Sequence, residues 1–440
     1  MTVVPLHSTG GSKAAAQDRT RVIAALDIGS TKVSCLIAQA SPAKHRPPGS
    51  EEQSTLRVLG VGHQASRGVK AGAIIDVDEA EKAIRLAVDA AERMAQRTIS
   101  HVWVNISGGR PNSSSHSATI KTQNGEVNEG DLAAVTGQAL ESVKPGKRTV
   151  LHVAPVQYQL DDAKGLKSPI GMFGETLGVH LNVVSCDAAH MRNLALAIER
   201  CHLSAAGTVI TPYAAAKSVL AEDEKALGIT LIDMGGATTG IAVFHNGNLV
   251  HSSIVPIGGQ HITNDIARGL STTIAHAERM KTLWGTAIPS LMDERETVAV
   301  PLLGERGVDT IHQVPRSMLT GIIRPRLEEI FELVRDRLEE SGCGRLGGGR
   351  MVLTGGASQL SGAREVAAQW LDRQVRLGVP AQLQGAPDSA RAPGFAVAVG
   401  LLNYALIPDP ACVMPSGITS ATHRQPGYLR RVGRWLADSF

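Results

Sequence analysis

The apolar positions change period several times along this 440-residue chain, and each change marks an element. Residues 1–20, with Ser, Gly, Lys, Ala and Gln among them and no apolar period, read as a disordered tail. Order begins at Arg21. An apolar run from Val22 to Leu26 leads into Asp27-Ile28-Gly29-Ser30-Thr31-Lys32, and a second run covers Val33 to Ala38. Two strands joined by a tight turn are predicted. The Pro/Ser/Glu-rich stretch 41–55 is a loop, and Leu56 to Val61 supplies a third strand. Over 77–97 the period becomes helical at Ala80, Ile84, Ala87, Val88, Ala91 and Met94, behind a capping box of Asp76 and Glu79.

Val102, Val104 and Ile106 alternate as a strand, and a polar Gly/Asn/Ser stretch covers 107–129. Residues 131–143 read as helix and 150–160 as strand, so 98–178 is expected to be a small α+β insertion in the first half, which occupies 21–97 before it. The rest of that half and a second half span 179–407. They contain an apolar strand at 183–186, a helix at 188–200, a strand at 206–211, a helix at 212–221 and a strand at 229–233. Helical stretches follow at 259–285 and 317–341, then a strand at 351–354. Pro408, Pro410, Pro415 and Pro426 mark 408–426 as a flexible linker.

Length alone asks for two or three domains. The net charge of +3 argues against a nucleic-acid binder. Cys35, Cys186, Cys201, Cys343 and Cys412 are scattered and never form C-x-x-C, and the first twenty residues lack the apolar core of a secretory signal. Reduced thiols in a cytoplasmic chain are expected. No stretch reaches the roughly 18 apolar residues of a membrane-crossing helix. The histidines show no zinc-ligand spacing, so no zinc site is expected.

The chemistry concentrates in two turns half a chain apart. Asp27-Ile28-Gly29-Ser30-Thr31-Lys32 and Asp233-Met234-Gly235-Gly236-Ala237-Thr238-Thr239 each follow one apolar strand and precede another. Glycines let a backbone approach an anion, and successive N–H groups, Ser and Thr hydroxyls and Lys32 are phosphate donors. Asp27 and Asp233 could share a hydrated magnesium ion, which takes few protein carboxylates. One such turn alone reads first as plain structure; two, facing each other, would clamp a nucleotide. In Val352-Leu353-Thr354-Gly355-Gly356-Ala357 a strand runs into a double glycine that could seat an adenosine. Gly60-Val61-Gly62-His63-Gln64-Ala65 nearly fits the dinucleotide fingerprint, but no helix pattern follows it.

The last fourteen residues, 427–440, form a separate pattern. Tyr428, Leu429, Val432, Trp435, Leu436 and Phe440 fall at helical spacing, with Arg430, Arg431 and Arg434 toward the other face. That is a basic amphipathic helix suited to an anionic membrane surface; a terminal helix docked on the body is the competing reading. Partial apolar burial, with about 1 kcal/mol per arginine, gives a reversible anchor that polymerisation would strengthen.

Two phosphate hairpins followed by an adenosine double glycine resemble the actin/hexokinase/DnaK superfamily. Within it the chain resembles the bacterial cell-division family FtsA from about Arg21 to Phe440. Ser66-Arg67-Gly68-Val69-Lys70-Ala71-Gly72, Leu151-His152-Val153 with Pro155, Met351 to Ala357 and the terminal Trp/Arg/Leu/Phe helix carry the likeness. It implies an α/β actin-like ATPase fold of two similar halves. ATP phosphates would lie on Gly29, Ser30, Thr31, Lys32, Gly235, Gly236, Thr238 and Thr239, with Mg2+ near Asp27 and Asp233. Adenosine would lie by Gly355, Gly356, Ala357 and, on the helix Ala277-Glu278-Arg279-Met280-Lys281, by Glu278 and Lys281. Taken alone, Glu278 and Lys281 read as an exposed charged helix face.

The family usually has a third glycine where Ala237 stands and an Asp where Gly240 stands. The helix before the second hairpin, from Pro212, offers no Gln or Glu to orient water, so binding with slow or absent hydrolysis is expected. The resemblance further implies filaments on the inner face of the cytoplasmic membrane at the division septum. It implies an inserted subdomain that meets the next subunit and later division proteins, and a site for the C-terminal tail of FtsZ. Arg326 in Ile322-Ile323-Arg324-Pro325-Arg326 is the candidate for that tail's carboxylates, though the segment also reads as a solvated helix face. A PilM-like pilus-assembly ATPase, a cytosolic sugar kinase and a nucleotide-free scaffold remain as rivals.

Overall fold

β1 (Arg21–Ile28) and β2 (Lys32–Ser41) pair antiparallel, with Asp27 opposite Ser34 and Ile28 opposite Val33, and β3 (Thr55–Ala65) adds to β2. This computed structural model describes residues 21–41, 55–123, 125–143, 146–304 and 311–406. The expected tail 1–20, linker 408–426 and amphipathic helix 427–440 lie outside the described residues.

After the small ladder of β4 (Val69–Lys70) and β5 (Ala73–Ile74), α1 (Val77–Ala95) packs on the sheet. Asp76 caps it by accepting the Glu79 N–H at 3.1 Å, but the Glu79 carboxylate turns to Lys82, so the expected box is only half made. Gly60 and Gly62 lie inside β3, under the helix: a Cβ on Gly62 would sit 1.9 Å from the Ala87 carbonyl oxygen. The near-fingerprint is there for close helix–strand packing. Met94, expected in the core, is half exposed.

β6 (His101–Ile106) corrects the expected insertion boundary. It pairs parallel with β1, Ala25 opposite Trp103, so it belongs to the first sheet. Its alternation of Val102, Val104 and Ile106 says strand but not which sheet. The inserted elements are β7 (Asn112–Lys121), α2 (Glu129–Glu141), β8 (Arg148–Leu160), β9 (Ala163–Leu166) and β10 (Thr176–Asp187). They form a sheet of order β7-β10-β8-β9, with α2 packed over the core of Leu132, Val135, Val153, Leu177 and Leu181. β7 is a strand where the sequence read only a polar stretch, because its outer positions are serines and threonine on a face that needs no apolar side chains.

α3 (Ala188–Arg200) and β11 (Ser204–Ile210) return to the first sheet, and α4 (Thr211–Val219) and α5 (Glu222–Leu227) lead to the second half. There β12 (Ile229–Met234), β13 (Thr239–His245) and β14 (Asn248–Val255) form an antiparallel meander. The helical stretch expected over 259–285 consists of α6 (Gly259–Gly269) and α7 (Ile274–Trp284), separated where Ser271 turns left-handed and Thr273 caps α7. The β15 (Thr297–Pro301) and β16 (Ile311–Pro315) hairpin, α8 (Arg316–Glu340), β17 (Arg350–Thr354), α9 (Ala363–Leu371), β18 (Gln374–Leu377) and α10 (Ala396–Leu406) complete the chain.

The two sheets have the same topology. The order β3-β2-β1-β6-β11 of the first corresponds to β14-β13-β12-β17-β18 of the second, with three antiparallel strands and then parallel ones. α4 and α10 cross between the sheets so closely that a Cβ on Gly400 would lie 1.7 Å from the Ala214 carbonyl oxygen. Equivalent turns, β1–β2 and β12–β13, therefore open on one cleft.

Candidate functional site

The two Asp–Gly turns are built alike and touch. Gly29 N–H donates to the Lys32 carbonyl at 3.0 Å, and Gly235 N–H to the Thr238 carbonyl at 2.9 Å. A Cβ on Gly236 would lie 2.4 Å from Thr31 Cγ2. None of Gly29, Gly235 and Gly236 has a left-handed backbone, so closeness rather than φ demands glycine there. Ala237, the departure from three glycines, is free of positive φ and buried. Gly240 has a close neighbour of its own: a Cβ there would lie 3.0 Å from Pro212 Cβ, so a larger residue needs that ring to give by a few tenths of an ångström.

The second turn is braced from below by α6. Gly259 and Gln260 N–H groups donate to the carbonyls of Gly235 and Gly236, at 3.0 and 2.6 Å. The double glycine arrives from β17: Gly355 is left-handed, and a Cβ on it would be 2.4 Å from Asp233 Oδ1. Gly356 opens outward with nothing over it, and Ala357 touches Gly259. Glu278 and Lys281 of α7 reach the same place. Lys281 Nζ donates to the Gly259 carbonyl at 3.1 Å and to Glu278 Oε2 at 2.7 Å, and Thr263 Oγ1 donates to the same carboxylate. Lys32 Nζ donates to the Gly394 carbonyl at 2.9 Å and lies over the Phe395 ring, beside Gly356.

The fold thus gathers Asp27, Gly29 to Lys32, Asp233, Gly235 to Thr238, Glu278, Lys281 and Gly355 to Ala357 around one cleft. Thr239 is not among its donors. It is fully buried and spends its hydroxyl hydrogen on the Ile257 carbonyl at 2.7 Å. Ser30 Oγ accepts the Gly72 N–H at 2.9 Å and keeps its own hydrogen to donate. Gly259, Gly394 and Asn105 escaped the sequence reading. Asn105 Oδ1 accepts the Ile28 N–H at 2.7 Å and its Nδ2 donates to Thr211 Oγ1. Only the double glycine at the start of α6 carried a signal.

Asp27 and Asp233 are buried carboxylates. Burial pushes Asp27 up to about 6, against the pull of Lys32. Burial, and then the charge of Asp27, push Asp233 up to about 7. Burial also lowers Lys32. Two desolvated acids facing one depressed lysine leave this cleft short of positive charge, and a hard divalent cation fits that donor set. Among the described residues no group of three or more His, Cys, Asp or Glu could hold a metal ion. An ion here would depend on two carboxylates, phosphate oxygens and water, the coordination that suits magnesium.

Arg326 is not a free cation. Its guanidinium forms a two-pronged pair with Asp265 of α6 and a further contact to Glu329.

Residues 230–400 match the family model described as cell division protein FtsA, and residues 108–185 match the SHS2 domain inserted in FTSA. The second match starts after β6, in agreement with the pairing of that strand. The chain is 44% identical to the cell division protein FtsA of Rhizobium meliloti over 422 residues, 96% of each chain. It is 32% identical to that of Escherichia coli K12 over 396 residues, covering 88% of this chain and 91% of that one. Among solved structures, a chain of the PilM-PilN type IV pilus biogenesis complex aligns at TM-score 0.60 and 15% identity, covering 88% of this chain and 99% of that one. That likeness concerns the actin-like fold alone.

Proposed function

This chain belongs to the FtsA family of cell-division proteins, and from that premise we propose that it binds ATP with Mg2+ between its two halves and polymerises at the inner face of the cytoplasmic membrane. There it tethers the FtsZ ring through the amphipathic segment 427–440 and helps recruit later division proteins. The observation that carries the nucleotide reading is the contact of the two Asp–Gly turns, Thr31 against Gly236, beside the buried pair Asp27 and Asp233.

Gly29, Ser30, Thr31, Lys32, Gly235, Gly236 and Thr238 would hold phosphate oxygens. Gly355, Gly356, Ala357, Glu278 and Lys281 would hold the nucleoside. A magnesium ion would supply charge neutralisation to the phosphates and to both acids. Lys32 would exchange its bond to Gly394 for phosphate oxygen, and the glycines would keep side chains out of the way.

Turnover is slow or absent on this reading. Phosphoryl transfer depends on a group that positions water. The first turn of α4 offers Thr211, Pro212 and Tyr213, and the nearby carboxamide Asn105 is already held by the Ile28 N–H and Thr211. For the FtsZ tail, Arg326 must trade Asp265 for a partner's carboxylate.

Liposome co-sedimentation tests the whole reading. The full chain and a chain ending at Gln425 are spun with anionic vesicles, each with and without Mg-ATP. Pelleting of the full chain alone, strengthened by ATP, is expected. If both forms stay in solution, the membrane-tethered polymer is wrong.

A further inference from the structure

Asn105 of β6 and Thr211 of α4 lie between the two Asp–Gly turns, and the hydrogen bonds that join them run in a fixed direction. The Ile28 N–H can only donate, so the Asn105 atom that meets it at 2.7 Å is the carbonyl oxygen. The other end of that carboxamide is then its NH2 group, and Thr211 Oγ1, at 3.2 Å, must accept from it. A hydroxyl has one hydrogen and two lone pairs, and the Asn105 bond uses one lone pair of Thr211.

Thr211 is held from three directions. The Ile210 N–H donates to His152 Nε2 at 3.0 Å, which fixes the chain just before it. Pro212, just after it, has a locked φ and stands in the first turn of α4. Asn105 grips the hydroxyl itself. These anchors also place the residue against both turns. Ile28, at one end of the carboxamide, follows Asp27 in the chain. Pro212 lies against Gly240, where a Cβ would be 3.0 Å from Pro212 Cβ, and Gly240 is opposite Asp233 in the β12–β13 ladder. Thr211 is as buried as the two acids, 8% exposed against 8% for Asp27 and 5% for Asp233.

A fixed neutral oxygen at this place suits a task that the other cleft residues leave undone. A water that attacks a phosphoryl group is positioned by an oxygen that accepts one of its hydrogens, which turns a water lone pair toward phosphorus. The second lone pair of Thr211 can accept that hydrogen, and the Asn105 NH2 keeps the hydroxyl from rotating away. A carboxamide or carboxylate would reach farther and bind the water more firmly, so a threonine does this weakly.

We propose that Thr211, oriented by Asn105, positions the water that attacks the γ-phosphate, and that turnover is therefore slow rather than absent. In that step the water oxygen bonds to the γ-phosphorus as the bond from that phosphorus to the β–γ bridging oxygen breaks. The bridging oxygen keeps the electron pair and leaves in ADP, and the proton of the water leaves with the phosphate product. Thr211 touches the water and exchanges no proton; Asn105 acts only through Thr211. The inference rests on nucleotide binding in the cleft.

The unaltered full chain is compared with full-length Thr211→Val, which keeps the shape and removes the hydroxyl, and Thr211→Ser, which keeps the hydroxyl. Three quantities are measured: affinity for Mg-ADP, the gain in that affinity when aluminium fluoride mimics the phosphoryl group in transit, and phosphate release from Mg-ATP in a single turnover. Thr211→Val should hold Mg-ADP within about twofold of the unaltered chain, lose most of the aluminium fluoride gain and release phosphate about tenfold more slowly or worse. Thr211→Ser should stay within about threefold in all three. Thermal melts without nucleotide report the fold, and Thr211→Ala repeats the comparison should the valine disturb it. An unchanged rate or an unchanged aluminium fluoride gain without the hydroxyl, or a serine variant as slow as the valine one, overturns the role of Thr211 and leaves nucleotide binding intact. Equal loss of Mg-ADP affinity and rate, or no phosphate release by the unaltered chain above the protein-free rate, does the same. If the unaltered chain binds no Mg-ADP and no Mg-ATP, the nucleotide reading fails, and this inference with it.

Discussion

Replacing Asp233 by Asn should stabilise the nucleotide-free protein, and only above mildly acid pH. Asp233 is held at about 7 against an ordinary 3.8, first by burial and then by Asp27. Between about pH 4 and pH 7 the folded chain therefore carries more protons than the unfolded chain, so stability falls as pH rises through that window. Each pKa unit corresponds to roughly 1.4 kcal/mol, which puts the cost of the ionised folded state at about 4 kcal/mol above pH 7. Asn keeps the shape and removes the charge. A core of this size shifts by about 1–3 °C per kcal/mol, so Asp233→Asn should melt about 5 °C higher at pH 8 and unchanged near pH 4. Thermal melts of both proteins without nucleotide, across that range, measure it. The same argument makes stabilisation by Mg-ADP grow with pH in the unaltered chain and less in the variant, which has lost one acid for the cation to neutralise. An Asn variant that melts lower at pH 8, or a difference that ignores pH, would falsify the view that these two acids are forced together in a dry cleft awaiting positive charge.

Other substitutions separate close approach from chemistry. Gly236→Ala places a methyl group 2.4 Å from Thr31 Cγ2 and should spread the two turns, lowering affinity for a fluorescent ATP analogue at least tenfold while far-ultraviolet circular dichroism is unchanged. Gly240→Asp, which restores the family's residue, should destabilise by about 1 kcal/mol in urea unfolding, because its Cβ would crowd Pro212 at 3.0 Å. Asp265→Asn removes the two-pronged partner of Arg326, leaving only Glu329, and should tighten binding of an acidic FtsZ-tail peptide in fluorescence anisotropy, whereas Arg326→Ala should weaken it; equal affinity in all three proteins would take Arg326 out of that contact.

Much of the site was legible because phosphate turns are local. Asp27 to Lys32 and Asp233 to Thr238 announce themselves by glycines and hydroxyls between two apolar runs, and the same short-range pattern made Gly355 and Gly356 readable. Helix α3 was legible residue for residue, because one side of it is apolar at helical spacing. Thr239 misled for the opposite reason. Its hydroxyl matched the pattern of its neighbours, but strand alternation turns it inward to Ile257. Arg326 looked like an available cation because Asp265, its partner, is far away in sequence.

By itself, then, the order of residues determined strands such as β1, β2, β12 and β17, helices such as α1 and α3, the two Asp–Gly turns, the double glycine and the kind of ligand they suit, since hydrogen bonding within a turn and periodicity within an element reach only a few residues. Tertiary structure alone decided that β6 joins β1 rather than the insertion, that Thr31 meets Gly236, that Pro212 crowds position 240, and that Asp27 and Asp233 are buried together. Those outcomes depend on groups packed at van der Waals distance though far apart along the chain, and no local pattern encodes such a contact.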